Sequence, residues 1–214
     1  ANPHAPLPWQ PVVRWLTVFM LLVLVLQSLG MALQLPGQRG VGYSLTTQLF
    51  QLTWVTEWRG LVPHWITLER AAILPFWQAS DGMRFIATAW FALDALLLVP
   101  AYLALLLALV RLLDALLRGL ASPYALRLAQ RAPWVGAGFD QLENLLSLIA
   151  IHRAQADPGQ LLDTLLTVAA HIKWLALAAA AGALLWLGLR GLRALGWRGI
   201  GAQLLAAARL LASS

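Results

Sequence analysis

The chain has 214 residues, of which 60% are hydrophobic and only 11% charged, against about 45–50% and about 25% in an ordinary soluble domain. It contains no cysteine, which excludes disulfides, thiolate metal sites and cysteine nucleophiles. The net charge of +6 does not point to nucleic acid, because most arginines flank apolar stretches instead of forming a soluble basic face. The composition is that of an integral membrane protein.

Residues 1–11, ANPHAPLPWQP, carry four prolines and are expected to run along the membrane surface without helix. Trp9 and Trp15 mark an interface. The first span is expected over residues 12–33, with Gln27 and Ser28 as its interior polar residues. It is longer than a secretory h-region and lacks an A-x-A site, so it reads as a retained span.

Pro36 to Gly42 ends that helix and opens a long connection. Within it, Trp54, Trp58 and Trp65 recur at spacings of four and seven, so residues 43–80 are expected to form short amphipathic helices on the external side. The second span is expected over 85–110, interrupted by Asp94 and by Pro100, which should kink it or free a carbonyl. Its pattern continues through Asp114 and Arg118, about two turns beyond the hydrocarbon. Pro133 and Trp134 are expected to start a third span over 134–151, the least hydrophobic one.

His152, Arg153 and Asp157 then form a connection to a fourth span over 168–189. The alanine-rich middle of that span, with Gly182, offers small-xxx-small spacings for close helix approach. The tail 190–214, with Arg190, Arg193, Arg198 and Arg209 among leucines and alanines, is expected to lie as a basic amphipathic helix on anionic lipid headgroups. The fold class is therefore an all-α, four-span membrane bundle, a single domain over 1–214. The bases Arg14, Arg111, Arg118, Arg127, Arg131 and those of the tail fall on one side, so the positive-inside rule places both termini in the cytoplasm.

The chemistry is concentrated in Phe139 to Ser147, FDQLENLLS. Asp140, Glu143, Asn144 and Ser147 are related by steps of three and four and share one helical face. A carboxylate at bilayer depth costs roughly 2.5–3.5 kcal/mol on insertion scales, so such residues face protein or water and are candidates for function. A rise of about 1.5 Å per residue puts Asp94 at a similar depth. Gln27 and Ser147 would line an external polar cavity, with His152, His171, Trp54, Trp58 and Trp65 at its rim.

Several functions are compatible with this constellation. The cluster can bind a small amphipathic or cationic ligand, or relay protons from the external side, with cation–π help from the tryptophans. It can instead lock the bundle in one register through interhelical hydrogen bonds. The chain can be an accessory subunit whose polar face meets partner helices in a larger membrane complex. An intramembrane acid–base enzyme acting on a lipid-soluble substrate is a further alternative. No metal site is expected: three residues beyond Glu143 stands Leu146, where a di-iron helix has histidine, and there is no H-E-x-x-H. Gly42-Tyr43-Ser44 begins a nucleophile elbow, but Thr46 takes the place of its last glycine.

Overall fold

The computed structural model describes the backbone over residues 8–32, 74–117, 121–153 and 160–212. These residues are almost wholly helical, with no strand among them. Helix α1 is Trp9–Ala32. After a short helical turn at 74–78, α2 spans Asp81–Leu93, a π-helical turn covers Asp94–Leu98, and α3 spans Val99–Leu117. Helix α4 is Pro123–His152 and α5 is Gln160–Ala212.

Among the described residues, three stretches are long and apolar enough to cross a membrane: Trp9–Gly30, Asp81–Leu117 and Leu161–Arg193. The chain is therefore a helical membrane protein. Helix α4 is long enough at 30 residues, but its charged and amide residues lower its hydropathy.

Each helix extends beyond the bounds expected from its apolar core. Helix α1 begins at Trp9, before the expected residue 12, because Pro11 sits in the first turn, where its missing N–H would have had no intrahelical acceptor. Helix α2 starts at Asp81, where the Ser80 hydroxyl accepts from the Met83 N–H at 3.2 Å and caps the first turn. Pro123 opens α4 well before the expected start at residue 134, and Pro133 lies inside the helix without ending it. The last helix runs unbroken from Gln160 to Ala212, so the tail continues α5 and is not a separate element. Of the external segment at 43–80, only residues 74–80 lie among those described; Trp54, Trp58 and Trp65 fall outside them.

The chain forms two compact units, one from residues 1–19, 101–136 and 175–214 and the other from 20–100 and 137–174. In the first, Val110, Leu117, Ala125, Ala129, Ala183 and Leu187 form one core cluster, and Val12, Ala108 and Leu112 another. Small residues from α4 and α5 at these contacts permit close helix approach, which drives association where lipid supplies no hydrophobic force.

The second unit holds the larger core, built around Trp77, Trp90 and Phe91 with Leu26, Leu146, Ile151 and Leu166. The Phe91 ring meets Trp77 edge-on at 5.8 Å and Trp90 at 5.1 Å, the arrangement that ring quadrupoles favour. The Trp90 indole N–H donates to the Leu26 carbonyl at 3.0 Å, fastening α2 to α1. Gln78 closes the end of α4: its side-chain amide lies 3.0, 3.3 and 3.2 Å from the carbonyls of Ala150, Ile151 and Arg153. Of these carbonyls at the end of α4, that of Ala150 also accepts from the Arg153 N–H at 3.4 Å, and the amide adds a C-cap supplied from another segment.

The double role of Trp90 gives a graded prediction. Trp90→Phe removes the indole donor and is expected to cost about 1 kcal/mol plus a packing loss, whereas Trp90→Ala is expected to cost about 3–5 kcal/mol. Denaturant titration of the detergent-solubilised protein measures both; a Trp90→Phe variant as stable as the wild type would show that the Leu26 bond contributes nothing.

Candidate functional site

Helix α4 carries the site because its two faces are reversed from those of a soluble helix. Asp140, Glu143, Asn144 and Ser147 are buried, with exposures between 3% and 8%, while Trp134, Leu142, Leu145 and Ile149 are exposed by 39–60%. Polar inside and apolar outside is the pattern expected when the surroundings are hydrocarbon. The three-and-four spacing keeps the polar groups on one stripe over two turns.

Opposite this stripe, within the second unit, stand Asp94 from the π-helical turn and Lys173 from α5. The Asn144 amide donates to the Asp94 carboxyl at 2.7 Å. The Lys173 ammonium lies 3.1 Å from Asp140 Oδ1 and 2.5 Å from Glu143 Oε2. Asp94 is also within electrostatic range of Asp140, Glu143 and Lys173, so the groups form one cluster. All are buried: Asp94 is 5% exposed and Lys173 3%. Lys173 also lies over the ring of its neighbour Trp174, 5.3 Å from the centroid, a contact that offsets part of its desolvation.

Asp94 reaches this position because the backbone changes register just after it. Ala87, Trp90, Phe91 and Asp94 are buried at helical spacing, yet the next inward residue is Val99, while Leu96 and Leu97 are 73% and 45% exposed. The π-helical turn Asp94–Leu98 supplies the extra residue, with the Val99 N–H bonded to the Asp94 carbonyl. Pro100 follows immediately. The freed carbonyl expected from that proline is Ala95's, and the Gln141 side chain of α4 donates to it at 2.6 Å.

The structure thus brings together four of the residues singled out from sequence, Asp94 bonded to Asn144, and Asp140 and Glu143 paired with Lys173. Ser147 is buried one turn further along the same face of α4. Gln27 is half-buried on α1 next to Leu26. His152 lies at the end of α4, exposed, 2.9 Å from Thr88 Oγ1. The Thr88 hydroxyl donates its single proton to the Arg84 carbonyl at 2.7 Å, so the His152 Nε2–H is the donor to Thr88. His171 is half-buried and its Nδ1–H donates to the Thr167 carbonyl at 2.7 Å.

Two residues were missed from sequence. Lys173 is absent from the residues expected at the site, although it falls inside the apolar stretch Leu161–Arg193; an ammonium within a span is itself the signal that points to it. Gln141 lies beside the polar stripe instead of on it, and its partner is a backbone carbonyl. The cluster groups are buried against one another. Among the described residues, no three His, Asp or Glu side chains converge as a metal site. No family model, curated protein or solved structure matches the chain.

Removing the ammonium leaves two carboxylates buried together. Lys173→Met is therefore expected to destabilise by about 3–5 kcal/mol, as when one partner of a buried pair is deleted. Adding Asp140→Asn and Glu143→Gln should restore most of the loss. Unfolding midpoints of the single and triple variants in detergent test this; a triple variant as unstable as the single would show that charge is not what Lys173 balances.

Proposed function

We propose that this chain is a four-span membrane protein that exchanges protons through its buried Asp94, Asp140, Glu143, Asn144 and Lys173 cluster. The observation that carries this reading is the charge balance: three carboxyl groups share one ammonium at exposures of 3–8%. A low-dielectric interior does not tolerate uncompensated negative charge, and protons supply the missing positive charge where side chains pack too closely for a larger cation. A small cationic or amphipathic ligand, the other occupant compatible with the residues, would require these groups to separate.

The reversed faces of α4 support its crossing the bilayer as a fourth span, sheltered by neighbours on its polar side. With four spans, both termini lie in the cytoplasm by the distribution of arginines, and Arg190, Arg193, Arg198 and Arg209 meet anionic headgroups. Ser147 extends the polar stripe of α4 by one turn beyond Asn144, toward the end of the helix that is external in this topology. A second reading is supported by the Lys173 pairing with both Asp140 and Glu143: the network locks the helices in register and moves nothing. An accessory role beside partner membrane subunits is compatible with that second reading.

Glu143→Gln separates these readings, because it keeps the shape of the side chain and leaves Lys173 paired with Asp140. In vesicles containing a pH-sensitive dye, the wild-type protein is expected to admit protons after external acidification, and the variant is expected to lose at least roughly 90% of that rate, as removal of a positioned proton-transfer group typically does. Equal rates for a correctly folded variant would overturn the relay. Loss of folded protein without any wild-type proton flux would favour the lock.

A further inference from the structure

The π-helical turn has a donor deficit that only one side chain makes good among the described residues. In an α-helix the Ala95 carbonyl would accept from the Val99 N–H, but here that N–H goes to the Asp94 carbonyl. In a continuing π-helix it would accept from residue 100, five positions on, and Pro100 has no N–H. Ala95 therefore loses both backbone donors at once. At this depth water is not available to replace them, and an unsatisfied carbonyl is expensive.

Gln141 supplies the bond from α4, with its amide nitrogen 2.6 Å from the Ala95 oxygen. It sits on the exposed side of α4, next to Leu142, where an amide facing lipid is itself unfavourable without a partner. The carbonyl and the amide thus satisfy each other. The turn they stabilise is the one that keeps Asp94 in line with buried Ala87, Trp90 and Phe91 while Val99 takes the next inward place. Removing the extra residue from the turn would rotate Asp94 relative to Val99 by about 100°, one residue's share of a helical turn.

We propose that Gln141 is the positioning residue for the Asp94 carboxyl: its amide replaces the backbone donor that Pro100 lacks and holds the π-helical turn that delivers Asp94 to Asn144. This deepens the proton-exchange reading by adding a residue outside the charged cluster. The geometric claim stands independently of whether protons move.

The logic predicts a specific dependence on Pro100. In Pro100→Ala, the new N–H can donate to Ala95 if the turn stays π-helical, and if the segment relaxes to α-helix the Val99 N–H returns to Ala95. In either case Ala95 no longer needs Gln141. The test is infrared difference spectroscopy of the full chain in lipid, with the Asp94 carboxyl band assigned by its loss in Asp94→Asn. Gln141→Leu, which suits lipid and removes the donor, is expected to shift that band in the Pro100 protein and leave it unmoved when added to Pro100→Ala.

A band that does not respond to Gln141→Leu, or responds equally in both backgrounds, overturns the proposal. If Gln141→Leu yields no folded protein alone, restored folding by Pro100→Ala supports it and failure to restore folding overturns it. The band reports the surroundings of Asp94 in either protonation state. A protein that shows this coupling and no proton flux would lose the proposed function and keep Gln141's role.

Discussion

The ammonium of Lys173, held between Asp140 and Glu143, is the interaction on which the second unit depends. It allows α4 to turn a charged stripe inward, because without a cation the two carboxylates would face each other in a medium that screens them poorly. Once that stripe is fixed, Asn144 is placed to donate to Asp94, and α2 and α5 are both tied to α4 by polar contacts. The aromatic core around Phe91 and the Gln78 cap on α4 then hold the same helices by dispersion and by backbone satisfaction. Polar and apolar contacts thus act on one set of elements.

Proline chemistry determines how Asp94 enters this arrangement. Pro100 denies the preceding turn a donor, the turn widens to a π-helix, and the phase of buried residues moves by one position between Asp94 and Val99. The carbonyl left over is met by Gln141 from α4, the helix that also presents Asn144. One helix therefore supplies both the contact to the Asp94 side chain and the contact to the backbone behind it.

Much of this was legible in the sequence, for physical reasons. Hydrocarbon tolerates so few charges that Asp94, Asp140 and Glu143 stood out, and helical spacing with a fixed rise brought them to one face and one depth. Pro100 likewise announced a disturbed helix. The kind of disturbance was not legible, since a proline removes a donor without specifying which carbonyl accepts from which residue. Pro11 and Pro133 misled the helix bounds because a proline's effect depends on its position within the turn and on neighbouring helices. Lys173 was less legible, because a basic residue near the end of an apolar stretch reads as readily as a flanking charge as an inward one. Gln141 was hidden because its acceptor is backbone, which leaves no pattern among side chains.

The proposed fourth span requires α4 to lie in the bilayer with its charged face turned to protein and its leucines to lipid. Because the chain contains no cysteine, a single cysteine at Leu145, which is 55% exposed, gives an unambiguous spin-label site in reconstituted vesicles. The account predicts that this label is relaxed by oxygen dissolved in lipid and is unaffected by a water-soluble paramagnetic complex added to both sides. Ready relaxation by the water-soluble complex, with little response to oxygen, would place α4 outside the hydrocarbon and contradict the account.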